Sequence, residues 1–504
     1  MRMSKQKAIV CAWAWLACAL PAVALAQGRD TVRVARVDTD TLMKHVRVLS
    51  SVQCEGRLAG TVGYDRAMAY VKQALSAYGV EEIGEQPMEV ECNEVESCTF
   101  DVYLPGSKEK TVYTLGREFC CAGMTGRGYV DAQMVFCGYG IDHSTMDEYR
   151  DVDVQGKVVV VLTGLPVLSA LPGQVASQYQ SLRDKARTAE RHGAIGLIAI
   201  NTSRLCPSGE PQSRVYCGGL PHLATFPMLQ LTLDCARELL ADEARPLDSL
   251  LARENETWTP RSFALRKKAE IDLNARYRPQ AATANIVGLL PGSDRKLAKE
   301  YVVVGASLDG AGMQGATCLF PGADINATGV AALLETARLL SHSELRPGRS
   351  VLFVVFSGSE QQYLGSRVFM NTYGHLRRVE AFVNVQNVGY GDSLVVLGGN
   401  HYPTLYDIAR RYDAMPCCGT RMMAAADAQA GVRGDARAFD AAGIPSLVIT
   451  TRNGMHHNHV GSDIWETIDR RVLTGAAQLL VGTVAGIGQG DYQGRSMKSR
   501  AGRY

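Results

Sequence analysis

From Ala284 onward the chain alternates two textures, and this alternation restricts the fold more than any other feature. Continuous Val-rich runs, Glu300–Ala306, Ser350–Phe356, Val379–Val385, Leu394–Leu397 and Ile444–Thr450, read as strands. Ala327–Leu340, Thr404–Tyr412 and Arg470–Ile487 read as helices, the first with Val330, Leu333, Leu334, Ala337 and Leu340 on one face. A strand that is apolar at every position is buried on both sides and needs helices above and below it. The pattern predicts an α/β fold, a mixed, mostly parallel sheet flanked by helices.

The upstream half differs. Asp40–Val52 and Tyr64–Tyr78 read as helices, the second with Met68, Val71, Leu75 and Tyr78 on one face, separated by the loop Glu55–Gly60. Between about 116 and 262 the texture changes. Met134–Cys137 and Lys157–Leu162 read as strands, Ser177–His192 as a helix, and 193–200 as a further buried strand. This predicts an inserted, compact second module over 116–262, with Arg253–Ser262 as the return linker. The main domain then comprises 30–115 and 263–488, followed by a flexible tail, 489–504.

Composition narrows the setting. The 504 residues, 46% hydrophobic and 21% charged, suffice for two or three domains. Arg2, Lys5 and Lys7 precede the apolar run Ala8–Leu20, and Ala24-Leu25-Ala26 offers small residues for cleavage. Residues 1–26 thus read as a secretory signal peptide, which predicts export to the periplasm or beyond. The run is too short to span a bilayer, and no later stretch is expected to be long enough or apolar enough to cross one. Without the signal, 50 Lys and Arg face 51 Asp and Glu, a balance that argues against a nucleic-acid partner. Twelve of the fourteen cysteines remain, so disulfides are expected, with Cys92–Cys98 and Cys206–Cys217 as local candidates.

Several ordered blocks resemble the secreted two-zinc aminopeptidase family, which includes bacterial leucyl aminopeptidases, glutamate carboxypeptidase and the transferrin receptor. They are Glu55-Gly-Arg-Leu-Ala-Gly60, Asn285-Ile-Val-Gly-Leu-Leu-Pro-Gly, Gly322-Ala-Asp-Ile-Asn, Ser357-Gly-Ser-Glu-Gln-Gln-Tyr-Leu-Gly, Gly434-Asp435-Ala436 and His459-Val-Gly-Ser-Asp463. In the same resemblance 116–262 corresponds to an inserted protease-associated (PA) domain. The family's site holds two zinc ions on a bridging Asp, further His, Glu and Asp ligands, and a Glu that acts as general base. Mapped onto this chain, the first His position is Ser307 and the bridging Asp position is Ile325. The base position is Ser359, and the later Asp position is Gln386. Glu360 and His459 persist as residual metal ligands, with Asp309, Asp324 and Asp435 as neighbouring acids.

Hydroxyl and carboxamide groups are poor zinc ligands, and isoleucine is none. The resemblance therefore implies an exported pseudopeptidase that needs no cofactor and binds a peptide or protein through the old cleft. The alternative is an active zinc aminopeptidase with a mononuclear site on Glu360, His459 and one of Asp324, Asp309 or His457. Cys318 is a weaker spare donor. A serine hydrolase built on Ser307 or Ser359 lacks a legible Ser-His-acid set. The mapping further predicts that Ser307, Ile325, Ser359, Glu360, Gln386 and His459 converge at the carboxyl ends of the strands.

Overall fold

The structure is a computed structural model. It describes residues 36–492 except 167–170, 172, 174–177, 203–209, 214–220, 253–260, 343–345, 374–377, 414–432 and 458. The expected signal peptide, Cys206 and Cys217 lie outside the described residues. Residues 35–504 form one compact unit.

Thirteen strands make one sheet. They are β1 (Glu81–Tyr103), β2 (Lys110–Tyr113), β3 (Phe119–Cys121), β4 (Gly128–Phe136), β5 (Val158–Leu162), β6 (Gly196–Ile200) and β7 (Met228–Leu231). There follow β8 (Phe263–Leu290), β9 (Tyr301–Ser307), β10 (Ser350–Phe356), β11 (Val379–Val385), β12 (Ser393–Leu397) and β13 (Ser446–Arg452). The order is β12-β13-β11-β9-β10-β8-β4-β5-β6-β7-β3, with β1 on β8 and β2 on β1. The β10-β9-β11-β13 block is parallel, and antiparallel β12 closes its edge. The apolar runs of the sequence are these strands, and the mixed, mostly parallel sheet flanked by helices is the observed architecture.

The helices are α1 (Thr39–Leu49), α2 (Val62–Ala77), α3 (Leu182–Arg191), α4 (Leu233–Leu240), α5 (Leu247–Leu251), α6 (Gly329–Leu340), α7 (Leu364–Tyr373), α8 (Pro403–Asp413), α9 (Ala436–Ala441) and α10 (Arg470–Gly488). Local chemistry sets their starts. Asp38 accepts the N–H groups of Asp40 and Thr41 ahead of α1, and Ser181 accepts that of Asp184 ahead of α3. One expectation about membranes is corrected here. α10 is long and apolar enough to cross a bilayer, yet 89% of its apolar window is buried inside the fold. Its apolarity matches the core that surrounds it.

The sequence leads to no strand over 81–103 or 263–283, but the structure has its two longest strands there. β1 and β8 pair antiparallel along most of their length. The far edge of β8 serves two neighbours in turn, Phe263–Leu273 with β4 and Ile286–Leu290 with β10. The expected bounds at 116 and 262 therefore do not mark a break in the sheet. The inner cores are nonetheless distinct. One gathers Phe356, Phe369, Phe382 and Phe439, and the other gathers Phe100, Phe119, Phe136, Ile198 and Ile271. The second core includes Val95 to Val102 on β1 and Leu265 to Ala275 on β8, beyond the expected bounds.

Two smaller expectations change. Cys92 and Cys98 are six residues apart on β1, roughly 20 Å along an extended strand, and both are free thiols. Tyr492, in the expected tail, is buried.

Candidate functional site

The parallel strands deliver their carboxyl ends to one side of the sheet, where open α/β sheets place their sites. Ser307 is the last residue of β9, Ser359-Glu360 follows β10, and Gln386 follows β11 directly. His459 lies in the loop after β13. An open cleft of ≈ 950 Å³ is lined by Ser359, Glu360, Tyr363, Arg367, Arg437 and His459, among others.

The retained ligand positions meet. His459 Nε2 lies 3.2 Å from Glu360 Oε1, with both side chains mostly buried. The segment before residue 214 reaches this loop as well, because the Ser213 N–H donates to the His459 carbonyl at 3.1 Å.

The positions expected to have lost a ligand make local hydrogen bonds, with Asp435 Oδ1 and Asn384 Oδ1 left buried and without a hydrogen-bond partner. Ser307 Oγ donates to Asp435 Oδ2 at 2.7 Å. Burial pushes the Asp435 carboxyl up to about 6, against the lowering effect of hydrogen bonds from Ser307 and Ser366. Asn384 Nδ2 donates to Gln386 Oε1 at 3.3 Å. A Cβ on Gly434, whose φ is +63°, would stand 2.5 Å from that Gln386 oxygen. Glycine therefore suits a position where the resemblance leads one to expect serine. Ser359 Oγ accepts from Asn326 Nδ2 at 3.3 Å.

The neighbouring acids brace backbone. Asp309 accepts the N–H groups of Ser359 (3.0 Å) and Glu360 (3.3 Å), which holds the turn that carries both. Its pKa is raised by burial and lowered by those bonds. Asp463 accepts the N–H groups of Asp324 (2.7 Å) and Ile325 (3.1 Å), and Arg57 lies nearby. Asp324 accepts from the Gly389 N–H at 2.7 Å, and its Oδ2 is buried without a hydrogen-bond partner. Burial raises both carboxyls, and Asp463 raises Asp324 further. Asp463, with its donors and the nearby guanidinium, is the better placed of the two to carry the charge.

Two residues gain roles that their motifs alone did not reveal. Arg57 is fully buried. Its guanidinium donates to the carbonyls of Leu308 (2.8 Å), Leu49 (2.5 Å), Pro321 (2.8 Å) and Gly322 (2.7 Å). It thus ties the loop before Asp309 to the loop before Ile325. Adjacent Gly56 is left-handed at φ +66°, and a Cβ there would lie 2.2 Å from the Gly312 carbonyl oxygen. Tyr363 lines the cleft, and burial followed by the charges of Asp435, Glu360 and Asp309 pushes its phenol up to about 12. Its hydroxyl is therefore a neutral donor at physiological pH.

The spare donors do not complete a metal set. Among the described residues no group of three His, Cys, Asp or Glu side chains could hold a metal ion. Asp309 accepts two backbone N–H groups, Asp324 accepts one through Oδ1 and keeps Oδ2 without a hydrogen-bond partner, and His457 Nδ1 faces Ser462 Oγ at 3.2 Å. Cys318 is buried in an apolar cluster with Cys120. Ser307 is bonded to Asp435, and Ser359 to Asn326. Ile325 is 6% exposed, and its backbone N–H is held by Asp463.

This arrangement is an α/β fold with a cleft at the carboxyl ends of its parallel strands. Residues 285–484 match the model of Peptidase family M28. Transferrin receptor protein 2 of Homo sapiens is 25% identical over 290 residues, covering 53% of this chain and 34% of that protein. Transferrin receptor protein 1 of Gallus gallus is 24% identical over 310 residues, covering 54% and 35%. The chain thus spans about a third of the length of these curated relatives. Among solved structures, a zinc aminopeptidase from Bacillus subtilis superposes with TM-score 0.61 at 18% identity, covering 89% of this chain and 94% of that one. A Peptidase M28 precursor from Shewanella amazonensis SB2B gives 0.62 at 15% identity, covering 89% and 96%. These likenesses establish the fold.

Proposed function

We propose that this chain is an exported peptidase homologue that binds a peptide or protein in its cleft without hydrolysing it. Ile325 carries the reading. An aliphatic side chain stands at the bridging-carboxylate position, its backbone N–H held by Asp463. The Ser307–Asp435 bond and the Gln386–Asn384 bond support it, because they engage Ser307 and Gln386 with protein neighbours at two further ligand positions. Neutral side chains at three acidic positions also relieve the repulsion that two dications would otherwise offset. With Glu360 and His459 alone, the donor set falls short of the three protein ligands that a catalytic zinc takes. Serine at the base position should cost about 10²–10⁴-fold in rate even with metal present. The curated relatives are named as receptors for a protein, and this agrees with a binding role. Residues 116–262 serve in this reading as a PA-like module that builds one wall, Ser213 against His459.

A second reading rests on one distance. The 3.2 Å between His459 Nε2 and Glu360 Oε1 is also the separation of two ligands on one tetrahedral zinc. A mononuclear aminopeptidase would then draw its remaining ligands from water or substrate.

Metal analysis of the purified protein, beside a panel of aminoacyl and dipeptide substrates, separates the two. The binding protein should hold no stoichiometric zinc and show no turnover. One equivalent of tightly held zinc with chelator-sensitive cleavage would establish the mononuclear enzyme. The combined variant Ser307→His, Ile325→Asp, Ser359→Glu and Gln386→Asp should gain zinc binding, read as a rise in melting temperature on zinc addition. Ile325→Asp alone should destabilise the fold by about 3 kcal/mol, because it buries a third carboxyl beside Asp324 and Asp463.

A further inference from the structure

Four buried cysteines flank β3, at the seam between the inserted module and the M28 domain. Cys120 and Cys121 are adjacent on this strand, so their side chains point to opposite faces. Cys120 packs with Cys318, Ala311 and Phe320 in one apolar cluster. Cys121 faces the inner core of the inserted module, which also contains Cys98 from β1. The thiols of Cys98 and Cys121 lie within hydrogen-bonding reach of each other.

The backbone fixes these neighbours. Residues Met313–Gln314 and Cys318–Leu319 form a small hairpin in which Gln314 stands opposite Cys318. The Gln314 carboxamide clamps β3, accepting the Cys121 N–H at 2.8 Å and donating to the Cys121 carbonyl at 2.7 Å. On the other side the Gly315 N–H donates to the Val95 carbonyl of β1 at 2.9 Å. A Cβ on Gly116, in the turn before β3, would lie 3.0 Å from Cys318 Cβ. The hairpin thus spans β1 and β3 and carries Cys318 to the Cys120 face.

We infer that β3 is the anchor of two disulfides, Cys98–Cys121 on one face and Cys120–Cys318 on the other. All four stand as thiols in the structure. Forming each bond removes two protons and two electrons from a thiol pair. A protein or small-molecule disulfide accepts them by thiol–disulfide exchange and is itself reduced to two thiols. Burial makes the Cys120, Cys121 and Cys318 thiols poor acids, so they are slow to exchange once packed, and the bonds form while the chain folds. The Cys120–Cys318 bond joins the inserted module to the loop that leads from Cys318 into Asp324-Ile325. The Cys120–Cys318 cross-link thereby braces the loop that carries Ile325.

The test uses the full chain, refolded with a glutathione redox couple. It is denatured without reductant, alkylated, and digested by cleavage after Lys, Arg and Glu, which separates Cys92 from Cys98. All four cysteines should resist alkylation until reduced. The peptide bearing Cys120 and Cys121 should emerge joined to those bearing Cys98 and Cys318. In Cys120→Ser only the Cys98 peptide should remain attached, and in Cys121→Ser only the Cys318 peptide. Alkylation of all four in the oxidised, folded and then denatured protein would overturn the inference. So would the opposite pairing in the two variants. Should either variant fail to fold, electron-transfer fragmentation of the joined peptides from the unaltered protein decides the pairing.

Discussion

Single residues hold this site together, and Arg57 does the most. Its guanidinium has no close carboxylate partner and is spent on carbonyls from three chain segments. Lysine offers a point charge with no planar fork, so Arg57→Lys leaves buried carbonyls unmatched. It should lower stability by about 3 kcal/mol, measured by urea unfolding, and unfold at a lower midpoint with unchanged slope. The Glu55–Gly60 block was legible as a signature, but its task was not, because three of the four carbonyls that Arg57 serves lie more than 250 positions away. His45 shows a different residue effect. It is buried between the hydroxyls of Tyr70 and Tyr78, and burial pushes its pKa down to about 4 from an ordinary 6.5. Below pH 6.5 the unfolded chain takes up a proton that the folded one refuses, so stability falls as the pH drops from about 6.5 to 4. The loss should approach 3 kcal/mol at the acid end. Chemical unfolding across that range should show a weaker acid dependence in His45→Gln than in the parent, and equal slopes would remove His45 as the cause.

At the scale of elements, the short buried strands and helices followed from pattern and the long strands did not. β9, β10 and β11 are apolar at nearly every position, and a chain segment of that kind has few alternatives to a central strand. β1 begins Glu-Glu-Ile-Gly-Glu-Gln-Pro, and its exposed and buried positions alternate only after bulges near Val90 and Val95 shift the register. Each bulge breaks the period of two on which a sequence reading depends. α10 illustrates the converse. Its composition fits a membrane span, and only the surrounding core shows where its apolar faces go. Val481→Asp would place a charge where the side chain is fully buried. It should cost at least about 4 kcal/mol and abolish cooperative thermal unfolding followed by circular dichroism. Retention of the parent melting curve would mean that this helix is not packed as described.

At the scale of the molecule, the sheet decides how the two cores communicate. β8 serves both, pairing with β4 at one end and β10 at the other. A strand shared in this way cannot leave one core without fraying its ladder in the other. Calorimetry should therefore show one unfolding transition, shifted by Ile271→Ala in one core and by Val354→Ala in the other. Each substitution should cost about 2–4 kcal/mol. Two resolved transitions, each sensitive to one substitution only, would instead mark the inserted module as an independent folding unit.

By itself the sequence determined the class of sheet and the ordered motifs over 285–484 that match the M28 model, and it set the expectation of which positions had lost a ligand. Those properties reside in local apolar periodicity and in short ordered motifs, which one segment can display alone. The tertiary structure decided what the replacements do. Only packing shows that Ser307 closes on Asp435, that Glu360 meets His459, and that Gln386 fills the space beside Gly434. The same holds for the four cysteines around β3, where Cys120 and its neighbour Cys318 are 198 positions apart in the chain. Hydrogen bonds and thiol contacts act over a few ångströms. Proximity on that scale comes from how strands are ordered in the sheet, which no single stretch of sequence encodes.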